Sequence, residues 1–259
     1  MVDDGAPPSL ALGDDGVAVI TLRRPRHLNR LHREDLAALR AHFGALAQDD
    51  AVRALVLTAQ GRAFCAGFHL GELGQPGDAA RDDPKAFEHM VDALEALPVP
   101  TVARLNGSVY GGATDLALAC DFRIGVTGME LRMPAARLGL HYYPSGLQRY
   151  VTRLGLGAAK RLFLLADTVD AATLLRIGYL DECVAVDALD ATVRALTDAL
   201  AANAPLAVRG MKASLNEIAG GRADAATLAA REQRCAGSED LREGLAAFAA
   251  RRAPVFRGR

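Results

Sequence analysis

The chain has 259 residues, of which 51% are hydrophobic and 24% charged, and its formal net charge is -1 at pH 7. That length can bury a large core, and the balanced charge gives no reason to expect nucleic acid or an acidic membrane as a partner. No apolar run approaches the ~18 residues of a membrane span, and the acidic, Pro/Gly-rich beginning is neither a signal peptide nor a transit peptide.

The first half of the chain is predicted to alternate strands with helices. Its strands are apolar runs that stop at turn residues, and its helices place leucine and alanine at three- and four-residue spacing. In chain order the predicted segments are a strand at 16–24, a helix at 34–47, a buried strand at 52–59, a glycine-rich irregular stretch at 61–74, an acidic insert at 75–84 and a helix at 85–97.

The second half begins in the same way and becomes almost entirely helical after residue 189. Its predicted segments are a strand and turn at 100–112, a helix at 113–121, a strand at 122–126, a helix from about Gly146 that continues through 158–167, and a loop with a short strand at 179–186. The alternation indicates an α/β layered core. We expect that core to span residues 1–190, and residues 191–259 to form a helical region that packs either against another subunit or against its own core.

The segment "NGSVYGGATD" places two glycines and a threonine directly before Asp115, at the start of a predicted apolar helix. The first N–H groups of a helix lack intrahelical partners, and the helix dipole adds positive potential at that end. Glycine lets an oxygen atom approach these N–H groups without a Cβ in the way. The turn is therefore a candidate site for a negative oxygen, although a glycine pair also serves ordinary packing.

Two motifs together resemble those of the crotonase, or enoyl-CoA hydratase/isomerase, superfamily: "GRAFCAGFHL" and, further along, "NGSVYGGATDLALACD". "RPRHLNRL", "MPAARLGLHYYPSG" and "RRAPVFRGR" resemble the opening motif, the third active-site loop and the C-terminus of that family. The resemblance implies an α/β fold, the crotonase-type spiral of ββα units with a C-terminal helical trimerisation region. It also implies a homotrimer or hexamer and an acyl-CoA thioester substrate, with coenzyme A as part of the substrate and no separate cofactor.

Members of this family hold the thioester oxygen with two backbone N–H groups, which stabilise the enolate that forms. The matching positions are Phe68, directly after "AG" in "CAGF", and Gly112, the second glycine of "YGGA". Fixed dipoles help most where charge develops in the transition state, and loss of one such donor typically costs about 10²–10³ in rate. The resemblance thus implies that these two amides form an oxyanion hole.

The acid/base residues depart from the hydratase pattern of the family. Hydratases have a glutamate where this chain has Asp115, and a second glutamate directly after the proline of the third loop, where it has Ala135. The usual pair of carboxylates is therefore incomplete. Asp115 is the best candidate for a general base; the alternative is a first-turn acid that only complements the helix dipole.

The third loop offers His141, Tyr142 and Tyr143, each able to donate or accept a hydrogen bond. By resemblance, Tyr142 matches a tyrosine that orients the substrate carboxylate in a methylmalonyl-CoA decarboxylase. Tyr143 falls near the aspartate nucleophile of the chlorobenzoyl-CoA dehalogenases, so dehalogenation is not expected. We expect Tyr142 or His141 to assist proton transfer, the alternative being that these aromatic side chains only line the pocket.

Further residues are implied in binding the CoA and acyl portions of the substrate. They are Arg26, Leu28, Ala66, His69, Leu70, Ala135, Tyr143 and Phe256. Arginine suits phosphate because its planar fork makes paired, charge-assisted hydrogen bonds, although Arg26 could equally be a solvated strand end. His69 replaces an aspartate that many family members have, and Phe256 is expected to complete a nucleotide pocket, of its own or of a neighbouring subunit.

The function expected from this resemblance is that of an enoyl-CoA hydratase/isomerase-type enzyme. Two alternatives stay open: a double-bond isomerase or decarboxylase that uses a single acid/base, and an acyl-CoA-binding homologue without turnover. RNA binding is disfavoured by the balanced charge and the lack of a lysine-rich helix. The four cysteines lie far apart without a C-x-x-C pair, so we expect reduced thiols, no metal site and a cytoplasmic protein.

Overall fold

The computed structural model of the protein describes residues 5–72 and 83–259, so most of the predicted acidic insert lies outside the described residues. Within them, ten strands form two sheets. The strands are β1 (Ala6–Leu12), β2 (Val17–Arg23), β3 (Ala54–Ala59), β4 (Ala63–Cys65), β5 (Thr101–Leu105), β6 (Ser108–Tyr110), β7 (Phe122–Val126), β8 (Glu130–Arg132), β9 (Val169–Asp170) and β10 (Glu182–Val184).

Nine α-helices connect and cover these sheets in the same part of the chain. They are α1 (Arg33–Ala47), α2 (Ala86–Glu95), α3 (Gly112–Ala119), α4 (Pro144–Lys160), α5 (Ala171–Arg176), α6 (Leu189–Ala201), α7 (Pro205–Ala219), α8 (Ala225–Ala236) and α9 (Glu239–Ala249). No helix among the described residues is both long enough and apolar enough to cross a bilayer.

The predicted spiral of ββα units is confirmed. The larger sheet has the order β1-β2-β3-β5-β7-β10 and the smaller one the order β4-β6-β8-β9. Three successive units, β3-β4-α2, β5-β6-α3 and β7-β8-α4, each contribute one strand to each sheet and then a helix. Neighbouring strands of these units pair in parallel, because each helix returns the chain to the same end of the sheet.

The apolar runs from which the strands were predicted are buried in the sheets. Residues Leu55 and Leu57 of β3 are fully buried, as expected for a central strand flanked by β2 and β5. No strand was predicted from the sequence at the start of the chain, yet β1 pairs antiparallel with β2 at the edge of the larger sheet. Its prolines, Pro7 and Pro8, are tolerated there because an edge strand leaves some N–H positions without a ladder partner.

The helix predicted through 158–167 is interrupted rather than continuous. Within α4, Gly155 has φ 80°, which kinks the helix, and a π-helical turn at Arg161–Leu165 follows it. After β10 the chain is helical, as predicted. The boundary predicted near residue 190 falls at the start of α6. This helix packs on β3, β5 and β7 of the larger sheet. The division into two domains stays a prediction.

Candidate active site

A cavity of about 410 Å³, hereafter the central cavity, lies where the loop after β4, the turn before α3 and the segment between β8 and α4 meet. Its wall is mostly apolar and aromatic, with few polar side chains. It is lined by Ala66, Phe68, Leu70, Pro84, Lys85, Phe87, Glu88, Tyr110, Gly111, Gly112, Met133, Pro134, Ala135, Leu138, Leu140, His141, Tyr142, Tyr143 and Pro144. A mainly apolar cavity with a few polar groups is typical of a small-molecule site.

Phe68 and Gly112 both lie on the wall of the central cavity, and the backbone N–H group of each is outside the regular hydrogen-bond pattern. At the bridge to Leu31, the hydrogen bonds flank Phe68: the N–H of Leu31 donates to the carbonyl of Gly67, and the N–H of His69 donates to Leu31. Because polar groups alternate along extended backbone, the N–H of Phe68 points away from Leu31. Gly112 is the first residue of α3, so its N–H has no acceptor within the helix.

Two glycines let these segments approach each other. Gly67 has φ +86°, and a Cβ added there would lie 2.9 Å from the nitrogen of Gly112 and 2.7 Å from the carbonyl oxygen of Tyr110. The loop that carries Phe68 therefore packs directly against the amide of Gly112. At Gly112 itself, a Cβ would lie 2.5 Å from Cζ of Phe87, so the ring of Phe87 closes over this turn only because the side chain is absent.

Tyr142 and Tyr143 form one side of the cavity. Their rings stack with centroids 4.3 Å apart, and the hydroxyl of Tyr142 donates to that of Tyr143 at 3.3 Å. The hydroxyl of Tyr143 in turn donates to Oδ2 of Asp115. Burial, followed by the negative charge of Asp115, raises the pKa of both tyrosines well above the ordinary value, so both are neutral donors at physiological pH.

Asp115 lies behind Tyr143, not on the wall of the cavity. Its carboxylate is completely buried, and Oδ1 has no hydrogen-bond partner among the described residues. Burial raises the pKa of Asp115 above its ordinary value, although the Arg149 guanidinium opposes this change. In this structure Tyr143 therefore lies between Asp115 and the cavity, and the role of Asp115 as a general base stays a prediction.

Arg149 is the residue of this site that the sequence analysis missed. It lies on α4, its side chain is 1% exposed, and its Nη1 donates to Oδ2 of Asp115 at 2.6 Å. Its remaining N–H groups donate to Asp92 at 2.8 Å and to Glu95 at 3.0 Å, both on α2. Burial alone would lower the pKa of Arg149, but Asp115 and Glu95 raise it, so the guanidinium stays charged. The sequence did contain a signal for Arg149, because a charged residue lies one turn after Gly146 on the buried face of the predicted helix.

Gly146 is what allows the tyrosines and Asp115 to come together. A Cβ at this position would lie 2.5 Å from Cε1 of Tyr142, 2.8 Å from Cε2 of Tyr143 and 2.9 Å from Oδ2 of Asp115. The first turn of α4 therefore packs against all three side chains. Only a residue without a side chain fits there.

The residues predicted to bind substrate divide into two groups. Ala66, Leu70, Ala135, His141 and Tyr143 line the central cavity, as do Phe68, Gly112 and Tyr142. Arg26, Leu28, His69 and Phe256 do not line it among the described residues. Leu28 is nonetheless adjacent, because its carbonyl accepts a hydrogen bond of 2.8 Å from the N–H of Ala66. Arg26 is exposed on the short turn after β2.

Phe256 lies away from the cavity of its own chain. The tail folds back on α9: Glu243 accepts from the N–H of Val255, and Asp240 accepts from the N–H groups of Arg257 and Gly258. These bonds hold the ring of Phe256 beside Gly244. The expectation that Phe256 completes a nucleotide pocket, of its own or of a neighbouring subunit, stays a prediction.

His69 turns away from the cavity towards Glu72. Its Nδ1 donates to Oε1 of Glu72 at 3.3 Å, and Nδ1 of His32 donates to the same oxygen at 2.5 Å. These three polar atoms lie within 4.8 Å of one another, a spacing that a metal ion could use. However, Arg30 donates to Nε2 of His32, so Nδ1 carries the proton in this arrangement and is not free to bind a metal.

Sequence and structure comparisons relate this chain to known proteins. The sequence model of the family described as enoyl-CoA hydratase/isomerase matches residues 13–259. The chain is 34% identical to a putative enoyl-CoA hydratase/isomerase, YngF, of Bacillus subtilis, covering 95% of this chain and 96% of that protein. It is 31% identical to the short-chain-enoyl-CoA hydratase of Clostridium acetobutylicum, covering 91% and 92%.

Solved structures agree with the sequence relatives. A putative enoyl-CoA hydratase from Streptomyces coelicolor A3(2) superimposes with a TM-score of 0.89 at 34% identity, covering 98% of this chain and 95% of that one. An enoyl-CoA hydratase from Bacillus anthracis gives 0.88 at 29% identity, covering 98% and 100%. The family match spans almost the whole chain, and the two-sheet spiral is common to these structures. The chain belongs to the crotonase, or enoyl-CoA hydratase/isomerase, superfamily.

Proposed function

We propose that this protein is an acyl-CoA enzyme that binds a thioester oxygen between the N–H groups of Phe68 and Gly112 and stabilises the enolate. The observation that carries this proposal is the close approach of two wall segments, each presenting an N–H outside the backbone ladders. Preorganised donors in a site that excludes water act most strongly where negative charge develops, which is the thioester oxygen during enolate formation.

Proton transfer at the acyl chain is assigned to Tyr143, backed by Asp115. Tyr143 is on the cavity wall and its hydroxyl donates to Asp115, so a proton taken from the substrate can pass to the buried carboxylate in one concerted step. Burial makes that carboxylate more basic than an exposed one. Tyr142 assists by donating to Tyr143. His141 also lines the cavity, and its Nδ1 donates to the backbone carbonyl of Tyr142.

The same relay supports more than one reaction of the enolate. A single acid/base can remove a proton at one carbon and return it at another, which gives double-bond isomerisation. Decarboxylation would require Tyr142 to hold a substrate carboxylate, and its hydroxyl is already directed at Tyr143. We therefore favour the hydratase/isomerase type of chemistry over decarboxylation. Coenzyme A enters as part of the substrate, and no separate cofactor is needed for these steps.

An oligomer of the kind proposed, a homotrimer or hexamer, is supported by exposed apolar side chains on the C-terminal helices. On α7, Met211, Leu215 and Ile218 follow one face at helical spacing and are 58%, 64% and 55% exposed. On α9, Leu245 and Phe248 are exposed as well. Large exposed apolar patches mark interaction surfaces.

The proposal is tested with a panel of 2-enoyl-, 3-enoyl- and malonyl-type CoA esters, assayed with the wild-type protein and with Asp115→Asn. We expect turnover of an enoyl ester by the wild type and a loss of about 10²-fold in kcat for Asp115→Asn, because the amide cannot accept the relayed proton. Asp198→Asn, an exposed change on α6, serves as the control and should retain full activity.

Two results would contradict the proposal. Binding of acyl-CoA without any product across the panel would indicate a homologue that has kept the fold and lost turnover. Full activity in Asp115→Asn would remove the relay from the mechanism while leaving the two amide donors untouched.

A further inference from the structure

A carboxylate lines the central cavity, but it lies on a different element from the one where the family pattern has its second glutamate. The third loop has Ala135 where a glutamate was expected, and Ala135 lies in the cavity wall, 4% exposed and unable to move a proton. Glu88 on α2 lines the same cavity, and its side chain is only 13% exposed. It is the one acidic side chain among the described residues on this wall.

The neighbours of Glu88 belong to the segments that carry the proposed reacting groups. It follows Phe87, whose ring covers Gly112, and its Oε1 accepts a hydrogen bond of 3.4 Å from Ser145, two residues after Tyr143. Its Oε2 lies 3.6 Å from Nζ of Lys85. Both contacts are long, so each oxygen keeps lone pairs that a water molecule or a hydroxyl group can use.

The two carboxyl groups of the site occupy contrasting environments. Asp115 is fully buried, paired with Arg149 and separated from the cavity by Tyr143, whereas Glu88 reaches the cavity and is partly solvated. Pairs of titratable groups in environments this different commonly divide the acid and base roles of one reaction. Hydration requires such a division, because one group must exchange a proton with water and another with Cα.

We propose that Glu88 is the catalytic residue that exchanges a proton with the water of hydration, in place of the carboxylate missing at Ala135. This inference rests on the proposed function. In hydration, Glu88 removes a proton from a water molecule while the oxygen of that water molecule bonds to Cβ. The electron pair of the double bond moves to the thioester oxygen, and the proton held by the Tyr143–Asp115 relay is then delivered to Cα.

The reverse reaction uses the same groups with their roles exchanged. The relay removes the Cα proton, the enolate expels the Cβ hydroxyl group, and protonated Glu88 supplies the proton that leaves with it as water. After each turnover the protons on Glu88 and Asp115 re-equilibrate with solvent, so atoms and charges balance without a further reactant.

The test compares two reactions in Glu88→Gln: hydration of a 2-enoyl-CoA, and exchange of the Cα protons of a saturated acyl-CoA with D2O. Exchange needs only the amide donors and the relay, whereas hydration also needs Glu88. We expect hydration to fall by about 10²–10⁴-fold in kcat, with exchange within about threefold of the wild type. Glu232→Gln on α8, an exposed position, is the matched control and should retain both reactions.

Hydration within about threefold of the wild type in Glu88→Gln would overturn the assignment. A wild-type protein that exchanges Cα protons but hydrates nothing would also overturn it, while leaving the enolate proposal intact. If the wild type does neither, the proposed function itself fails. An equal loss of both reactions in Glu88→Gln would contradict a role confined to water and indicate a structural one.

Discussion

Arg149→Met is expected to lower the free energy of unfolding by about 3–5 kcal/mol, because it leaves the buried carboxylate of Asp115 without its cationic partner. Methionine approximates the length of the arginine stem but supplies none of the hydrogen bonds to Asp115, Asp92 and Glu95. Urea unfolding at pH 8, followed by circular dichroism, measures this change. Arg194→Met, which removes an exposed ion pair with Asp15, is the control and should change the free energy of unfolding far less.

The loss in Arg149→Met should depend on pH. Burial already raises the pKa of Asp115 in the folded protein, and removing Arg149 eliminates the main effect that opposes this rise. A carboxyl group whose pKa is higher in the folded than in the unfolded state stabilises the fold when protonated, and that stability is lost as pH rises through the folded pKa. The destabilisation should therefore be smaller at pH 5 than at pH 8.

A double variant separates charge from packing. Asp115→Asn added to Arg149→Met removes the carboxylate together with its partner, so it should recover part of the lost stability. A pH-independent loss, with no recovery in the double variant, would show that Arg149 acts by packing alone.

Tyr143→Phe is expected to reduce kcat by about 10²–10⁴-fold with a much smaller change in KM, because it removes the hydroxyl that joins the cavity to Asp115 and keeps the ring. Steady-state kinetics on the best ester of the panel measure both constants. The expected pattern differs from that of a packing defect, which would change KM and thermal stability together with kcat.

Tyr142→Phe is the matched comparison for this prediction. Its hydroxyl reaches that of Tyr143 only at 3.3 Å, so its loss should cost less than about tenfold in kcat. If Tyr142→Phe is as damaging as Tyr143→Phe, then Tyr142 contacts the substrate itself. If neither change reduces kcat, the relay through the tyrosines is wrong.

Most strands of the larger sheet and most helices could be predicted from the sequence because each buries a regular apolar pattern. Strand β7 was predicted with its observed bounds, and β3 was recognised from its continuous apolar run. The strands of the smaller sheet, such as β4 and β6, have three residues each and are too short to show a period. Strand β1 was missed because Pro7 and Pro8 argue against a strand except at a sheet edge.

The candidate site was predictable where a motif fixes backbone geometry and less so where side chains pair across the fold. The positions of Phe68 and Gly112 follow from glycine motifs, and the structure brings both to one cavity. The pairing of Arg149 with Asp115 joins residues 34 positions apart and leaves no local pattern. Nor did any local signal show that Tyr143 separates Asp115 from the cavity, or that Glu88 reaches it from α2.

The central claim is that the two amides bind one oxygen, and the most direct measurement is a crystal structure of the protein with a bound acyl-CoA. The account predicts a thioester oxygen about 2.7–3.1 Å from the nitrogens of both Phe68 and Gly112, with Cα beside the hydroxyl of Tyr143. A thioester bound elsewhere, or an oxygen that contacts neither amide, would contradict it.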